Sequence, residues 1–143
     1  AEDEKGSHIA NKTLSSLQRP TGMRVAGGEL MWLEQDAGTL RRCKVVPGGG
    51  HCADSPTIMI DGLNCPQDLA LDFAHGYVYI TQFGGGNSAE AALSCRGEGR
   101  ITRFPLRESV DGSSQQVDVL GALNNSVFLA IDPFYPSGRI GRA

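Results

Sequence analysis

Three segments of this 143-residue chain share one pattern of spacings, and this internal repeat limits the fold more than any other sequence feature. Counting from Pro20, Pro66 and Ser126, an apolar residue lies three positions later and a second lies five positions later. This period of two predicts a β-strand with one buried face. Matching offsets at several positions favour a true repeat over three unrelated hairpins. The apolar residues at these offsets are Met23, Val25, Leu69, Leu71, Leu129 and Ile131.

Further strands follow in the first two segments. A turn containing glycine leads to a second strand, third strands are predicted at residues 40–43 and 101–104, and fourth strands at 57–60 and 116–120. The units start again after 46 and then after 60 residues. Four short antiparallel strands per unit predict the blades of a β-propeller. We therefore expect an all-β chain made of propeller blades in an incomplete ring.

The repeat divides the chain into successive parts. Residues 1–16 are expected to supply the outer strand of a preceding blade, residues 17–62 the first blade, residues 63–122 the second blade, and residues 123–143 the start of a third. Propellers usually need about four to eight blades to close. These blades alone would therefore form an open wedge that exposes apolar faces and a free strand edge. We expect these residues to belong to a larger polypeptide; completion of the ring by further copies is the alternative.

The residues that carry the repeat resemble two families of propeller blades. Residues 63–72, 76–80 and 99–104 resemble NHL-type blades, and residues 28–33 with 40–42 are similar to the YWTD blades of lipoprotein-receptor-like proteins. The resemblance covers roughly residues 8–143 and implies a ring that such families generally close at about six blades. It does not imply one activity.

The sequence departs from these blades at one position. The aspartate that usually ends the second strand is replaced by Glu34 in the first unit and by Gln82 in the second. The hydrogen bonds that this aspartate makes in such blades are therefore an open question for this chain.

Cysteine usage and glycosylation motifs indicate a secreted or cell-surface protein. An even number of cysteines without a zinc-type spacing favours two disulfides formed in an oxidising compartment, with four free buried thiols as the alternative. Two N-glycosylation sequons begin at Asn11 and Asn124. The cysteines are Cys43, Cys52, Cys65 and Cys95.

The position of each cysteine in a propeller suggests how they pair. The blade-to-blade connection and the loop between the second and third strands lie on one face of a propeller, which brings Cys65 and Cys95 to the same face. Cys43 and Cys52 flank the turn between the third and fourth strands, where a bridge would staple the hairpin.

An insertion at residues 84–99 is the most promising functional element. It is much longer than its counterpart at residues 35–38, is rich in glycine and carries a cysteine. Long loops on a rigid scaffold commonly carry binding, whereas a tolerated surface insertion without a partner is the alternative. No GK[ST] sequence follows its glycines, which excludes a phosphate-binding P-loop. The candidate binding residues are Gly84, Asn87, Glu90 and Arg96.

Carboxylates near the first strands raise the question of a metal. Asp68, Asp72 and Asp132 are expected near the central channel of a propeller, where such groups can bind calcium or act as bases. Asp72 and Asp132 are the two weak candidates for a Ca²⁺ site, although a hydrogen-bonding role in the turn after the strand is favoured. No other cofactor and no catalytic residue is assigned.

Composition narrows the class of partner. A net charge of −3 provides no electrostatic basis for nucleic-acid binding, and no apolar run approaches the length of a membrane span. We predict a non-catalytic extracellular module for protein–protein interaction or structural assembly, whose partner is a protein or the remaining blades. Two alternatives stay open: a propeller hydrolase or lyase of the lactonase or amidating-lyase type with a channel metal, and an architectural subunit of an extracellular fibre or sheath.

Overall fold

The computed structural model of the chain describes residues 16–84, 95, 98–107, 116–123 and 129–131. Within these ranges all regular elements are strands, which form two four-stranded antiparallel sheets in the orders β1-β2-β3-β4 and β5-β6-β7-β8. The predicted all-β class is therefore confirmed. No helix among the described residues is long and apolar enough to cross a membrane. The strands are β1 (Pro20–Ala26), β2 (Glu29–Glu34), β3 (Thr39–Lys44), β4 (Thr57–Ile60), β5 (Pro66–Asp72), β6 (Tyr77–Phe83), β7 (Gly99–Pro105) and β8 (Val117–Leu123).

The two sheets repeat each other in register as well as in strand order. Met23 pairs with Trp32 across β1 and β2. At the equivalent place in the second sheet, Leu69 pairs with Ile80. Each sheet also has one irregularity just after the proline that begins its first strand, and irregular pairing where its third strand meets its fourth, at one point in the first sheet and at two in the second. The repeat seen in the sequence is thus a repeat of backbone pairing.

A left-handed residue recurs just before each repeat unit. The φ angles are 59° at Ser16, 70° at Gly62 and 55° at Ala122. Each of these residues lies four positions before the residue from which the offsets were counted. Such a backbone conformation is uncommon outside glycine, so its recurrence at one spacing reflects one shared turn.

The hydrophobic core lies between the two sheets. Because side chains alternate along a strand, Met31 and Leu33 of β2 face the second sheet, whereas Leu30 and Trp32 face the other way and pack with Cys43. Full burial of an aliphatic side chain contributes about 1.5–3 kcal/mol, so this layer is a major source of stability. The core consists of Met31, Leu33, Leu40, Leu63, Leu69, Val78, Ile80 and Phe104.

The first strands of the two sheets approach closely where Gly22 lies. A Cβ atom at Gly22 would lie 2.8 Å from both the Cα and an Oδ atom of Asp68. Beside this contact, the Thr21 hydroxyl donates to the carbonyl of Pro66 over 3.0 Å. Glycine therefore allows β1 and β5 to lie side by side.

A second close approach generates a test of the fold. Gly38 has a φ of 64°, and a Cβ atom there would collide with the carbonyl oxygen of Leu63, which follows β4. We expect Gly38→Ala to lower the free energy of unfolding by about 3 kcal/mol, because strain and collision add. Gly28 is the control, since its φ is 75° but nothing lies within 4 Å of such a Cβ. Gly28→Ala should cost only about 1 kcal/mol. If urea denaturation gave equal losses of unfolding free energy for the two variants, the close approach of Gly38 to Leu63 would be contradicted.

Candidate interaction site

One edge of the stacked sheets gathers the connections that the sequence analysis assigned to a single face. We call this edge the connector rim: residues 16–19, 35–38, 61–65 and 84, with Cys95 and Glu98. The amide of Leu63 donates to the carbonyl of Gly38 over 2.9 Å, and the amide of Gln35 donates to the carbonyl of Arg19 over 2.9 Å. The first of these backbone hydrogen bonds holds the connection between the sheets against the β2–β3 turn, and the second holds the segment before β1 against the same turn.

The opposite rim carries the β1–β2 turn, the β5–β6 turn and the loop that joins β3 to β4. At this rim the amide of Leu106 donates to the carbonyl of Gly76 over 2.9 Å, and Val45 forms an isolated antiparallel bridge with Cys52. The long insertion leaves the end of β6 and enters the start of β7, and so it belongs to the connector rim.

Each rim has one disulfide. Cys65 is bonded to Cys95 across 30 positions of sequence, and Cys43 to Cys52 across 9 positions. These are the two pairs that the loop positions suggested, and no free thiol is present. Cys65 itself is buried and has a φ of 41°, immediately before the proline that begins β5. The bridge therefore ties the insertion to a fixed point of the sheet connection.

The structure describes only part of the predicted binding loop. Gly84 follows the end of β6, is buried and has a φ of 90°, so the chain turns there in a conformation that favours glycine. Six other residues that the sequence analysis singled out lie outside the described residues: Asn87, Glu90, Arg96, Asn11, Asn124 and Asp132.

Asp72 ends β5 at the opposite rim and closes the turn that follows. One of its carboxylate oxygens accepts the backbone amide of His75 over 3.2 Å, and the other lies 2.7 Å from Nδ1 of His75. This is the hydrogen-bonding role in the turn that the sequence favoured over calcium binding. In the part of the chain that the structure describes, no group of three or more histidine, cysteine, aspartate or glutamate side chains is placed to hold a metal.

Glu34 shows what one of the two replaced aspartates does in this protein. Its carboxylate is buried at the end of β2. One oxygen accepts the indole N–H of Trp32 over 3.2 Å, and the other lies 3.7 Å from Nε of Arg41. The longer glutamate side chain therefore reaches back along its own strand, on the face opposite the intersheet core.

Gln82, at the equivalent position of the second sheet, joins a row of hydrogen bonds across that sheet. Its side-chain oxygen accepts the backbone amide of Asn64 over 2.8 Å, and its nitrogen donates to the Thr102 hydroxyl over 3.0 Å. That hydroxyl donates in turn to Asp118 of β8 over 3.0 Å. The row links the connector next to Cys65 with the outermost strand, and so stiffens the support of the connector rim.

A charged pair on the connector rim was not predicted from the sequence. Nη1 of Arg19 lies 3.5 Å from an Oδ atom of Asp36, and both side chains are about three-fifths exposed (61% and 59%). Such an exposed pair adds little stability but presents both signs of charge to a partner. Its two members are 17 positions apart. The only signal in the sequence was that Arg19 and Asp36 each lie next to a predicted strand end on the face that carries the blade connections.

Comparison with known proteins does not assign the chain to a family. No protein-family model matches the sequence, and no curated protein matches it.

The bridge at the connector rim can be tested by removing one cysteine. Cys65→Ser should leave Cys95 as a free thiol that reacts with a maleimide under non-reducing conditions. It should also lower the free energy of unfolding by about 3 kcal/mol, because a 30-residue separation is no longer constrained in the unfolded chain. Cys43→Ser is the matched control and should free Cys52 alone. Absence of a new reactive thiol in Cys65→Ser would refute the pairing.

Proposed function

We propose that the two sheets are consecutive blades of an extracellular β-propeller that acts as a non-catalytic module for protein–protein interaction or structural assembly. The observation that carries the proposal is the stacking of two four-stranded sheets that share strand order, register and irregularities. Radial repetition of such sheets is how propellers bury their faces. The two disulfides support an oxidising, extracellular setting.

The uncovered face of the first sheet supports this architecture. Met23 and Val25 of β1 are 57% and 64% exposed on the face that points away from the second sheet. Their equivalents in β5 belong to the intersheet core, where Leu69 is fully buried and Leu71 partly so. A face that is covered in one unit and open in the next has the character of a surface that packs against another sheet. On this proposal, the face carrying Met23 and Val25 packs against a further blade.

The connector rim is the interaction surface in this proposal. It combines the tethered end of a long loop with the exposed side chain of Asn64 and the exposed Arg19–Asp36 pair. Loops that are positioned by a rigid scaffold often carry binding, and a covalent tether reduces the entropy lost when a loop is ordered by a partner. The Gln82 row and the intersheet core supply the rigid support.

The architecture predicts that Val25 tolerates charge poorly in the native polypeptide. Val25→Asp should lower the free energy of unfolding by about 3 kcal/mol, since it would bury an unpaired carboxylate against a further blade. Phe73 is the control, because it is similarly exposed (55%) but lies in the β5–β6 turn of the opposite rim. Phe73→Asp should change thermal unfolding little. If both variants unfold like the parent protein, the face of Val25 is not covered and the propeller proposal fails.

The interaction role can be tested with a photo-reactive amino acid at one position of either rim. Asn64 and Ala74 are both exposed and lie just beyond opposite ends of β5. A photo-reactive residue at position 64 should form cross-links to another extracellular protein when the native protein is irradiated in its extracellular surroundings, because the connector rim faces the partner. The same residue at position 74 should not. Cross-links from position 74 alone, or from neither position, would contradict an interaction surface at the connector rim.

A further inference from the structure

The carboxylate of Asp68 connects backbone groups from two repeat units. Asp68 is 5% exposed, near the start of β5. One oxygen accepts the amide of Leu69 over 2.9 Å, and the other accepts the amide of Leu129 over 2.9 Å. Leu69 and Leu129 occupy the same position of their repeat units. A single side chain thus serves equivalent amides of the second and third units.

Arg24 brings the first unit to the same point. Its Nη2 atom lies 3.1 and 3.3 Å from the two oxygens of Asp68, and it also donates to the carbonyl of Leu129 over 3.3 Å. Its Nη1 atom donates to the carbonyl of Met23 over 2.7 Å, which orients the guanidinium group. The N–H and the C=O of Leu129 are therefore both bound by one ion pair.

Gly22 explains why the carboxylate can occupy this place. Gly22 is the equivalent of Asp68 in the first unit, and a Cβ atom there would lie 2.8 Å from an oxygen of the Asp68 carboxylate. A side chain at position 22 would compete with the carboxylate for the same space. The lack of a side chain at Gly22 in the first unit thus leaves the space that the carboxylate of Asp68 in the second unit occupies.

We infer that Arg24 and Asp68 form a backbone clamp, a site that binds one residue through its N–H and C=O groups and holds the segment at residues 129–131 of the third unit against β5. The described hydrogen bonds to Leu129 involve backbone atoms only. Charge-assisted hydrogen bonds are stronger than neutral ones, and main-chain recognition tolerates changes of side chain. The clamp therefore accepts any residue that keeps its amide hydrogen.

Hydrogen exchange of single amides tests the acceptor side of the clamp. In Asp68→Asn, the side-chain NH₂ group must face one of the two backbone amides from which the carboxylate accepts, so one of these hydrogen bonds is lost. The neutral side chain also loses its charge attraction to Arg24. We expect Leu129 to lose protection by about ten-fold or more, because Leu69 is held in β5. Asp72→Asn alters the other end of the same strand and should leave Leu129 unchanged. Unchanged protection of Leu129 in Asp68→Asn, or an equal loss in Asp72→Asn, would overturn the inference.

A second pair of variants tests the donor side without altering the ion pair. Leu129→Pro removes the amide hydrogen, whereas Leu129→Ala keeps it and removes most of the side chain. We expect the carboxyl ¹³C resonance of Asp68 to shift in Leu129→Pro and to stay in place in Leu129→Ala. A resonance that is unmoved by proline, or moved equally by alanine, would show that the backbone of Leu129 is not what the carboxylate binds.

Discussion

The aliphatic layer between the two sheets is the constraint on which the rest of this structure depends. A four-stranded sheet alone leaves both of its faces open to water. In the first sheet, Met31 and Leu33 are buried because the second sheet covers them. For these side chains to meet Leu69 and Ile80, the first strands of the two sheets must lie close together, which requires Gly22 to have no side chain. The polar contacts between β1 and β5 then form around that glycine.

The same packing fixes where loops can vary. The chain leaves β4 and enters β5 along the connector rim, where the amide of Leu63 is bound by the carbonyl of Gly38. The insertion after β6 opens onto the same rim and returns to it through Cys95. Since none of these loop residues except Leu63 belongs to the intersheet core, the rim can differ between units without loss of the sheets. This separation of core and rim is what suits the rim to an interaction role.

Polar residues inside the sheets show how equivalent positions acquire different partners. Glu34 and Gln82 occupy one position of the repeat, yet the first binds a tryptophan of its own strand and the second binds a connector amide and a threonine. The sequence identified both positions as unusual. It left their partners open, because hydrogen bonds across a sheet depend on which side chains the neighbouring strands bring alongside.

Local patterns in the chain were sufficient to predict the strands, their order within a unit, and the pairing of Cys65 with Cys95, because a period of two, a glycine turn and a loop position are properties of short segments. The ion pair of Arg24 with Asp68 and its grip on Leu129 join residues 44 and 61 positions from Asp68. No local pattern marks these contacts, and the spacings that define the repeat place Arg24 and Asp68 at non-equivalent positions of their units. Only the packing of one sheet on the next brings their charges together, since it places β1 beside β5, where the buried carboxylate of Asp68 lies 3.1 Å from the partly exposed guanidinium group of Arg24. A carboxylate removed from water in this way is stabilised by an opposite charge and by hydrogen bonds.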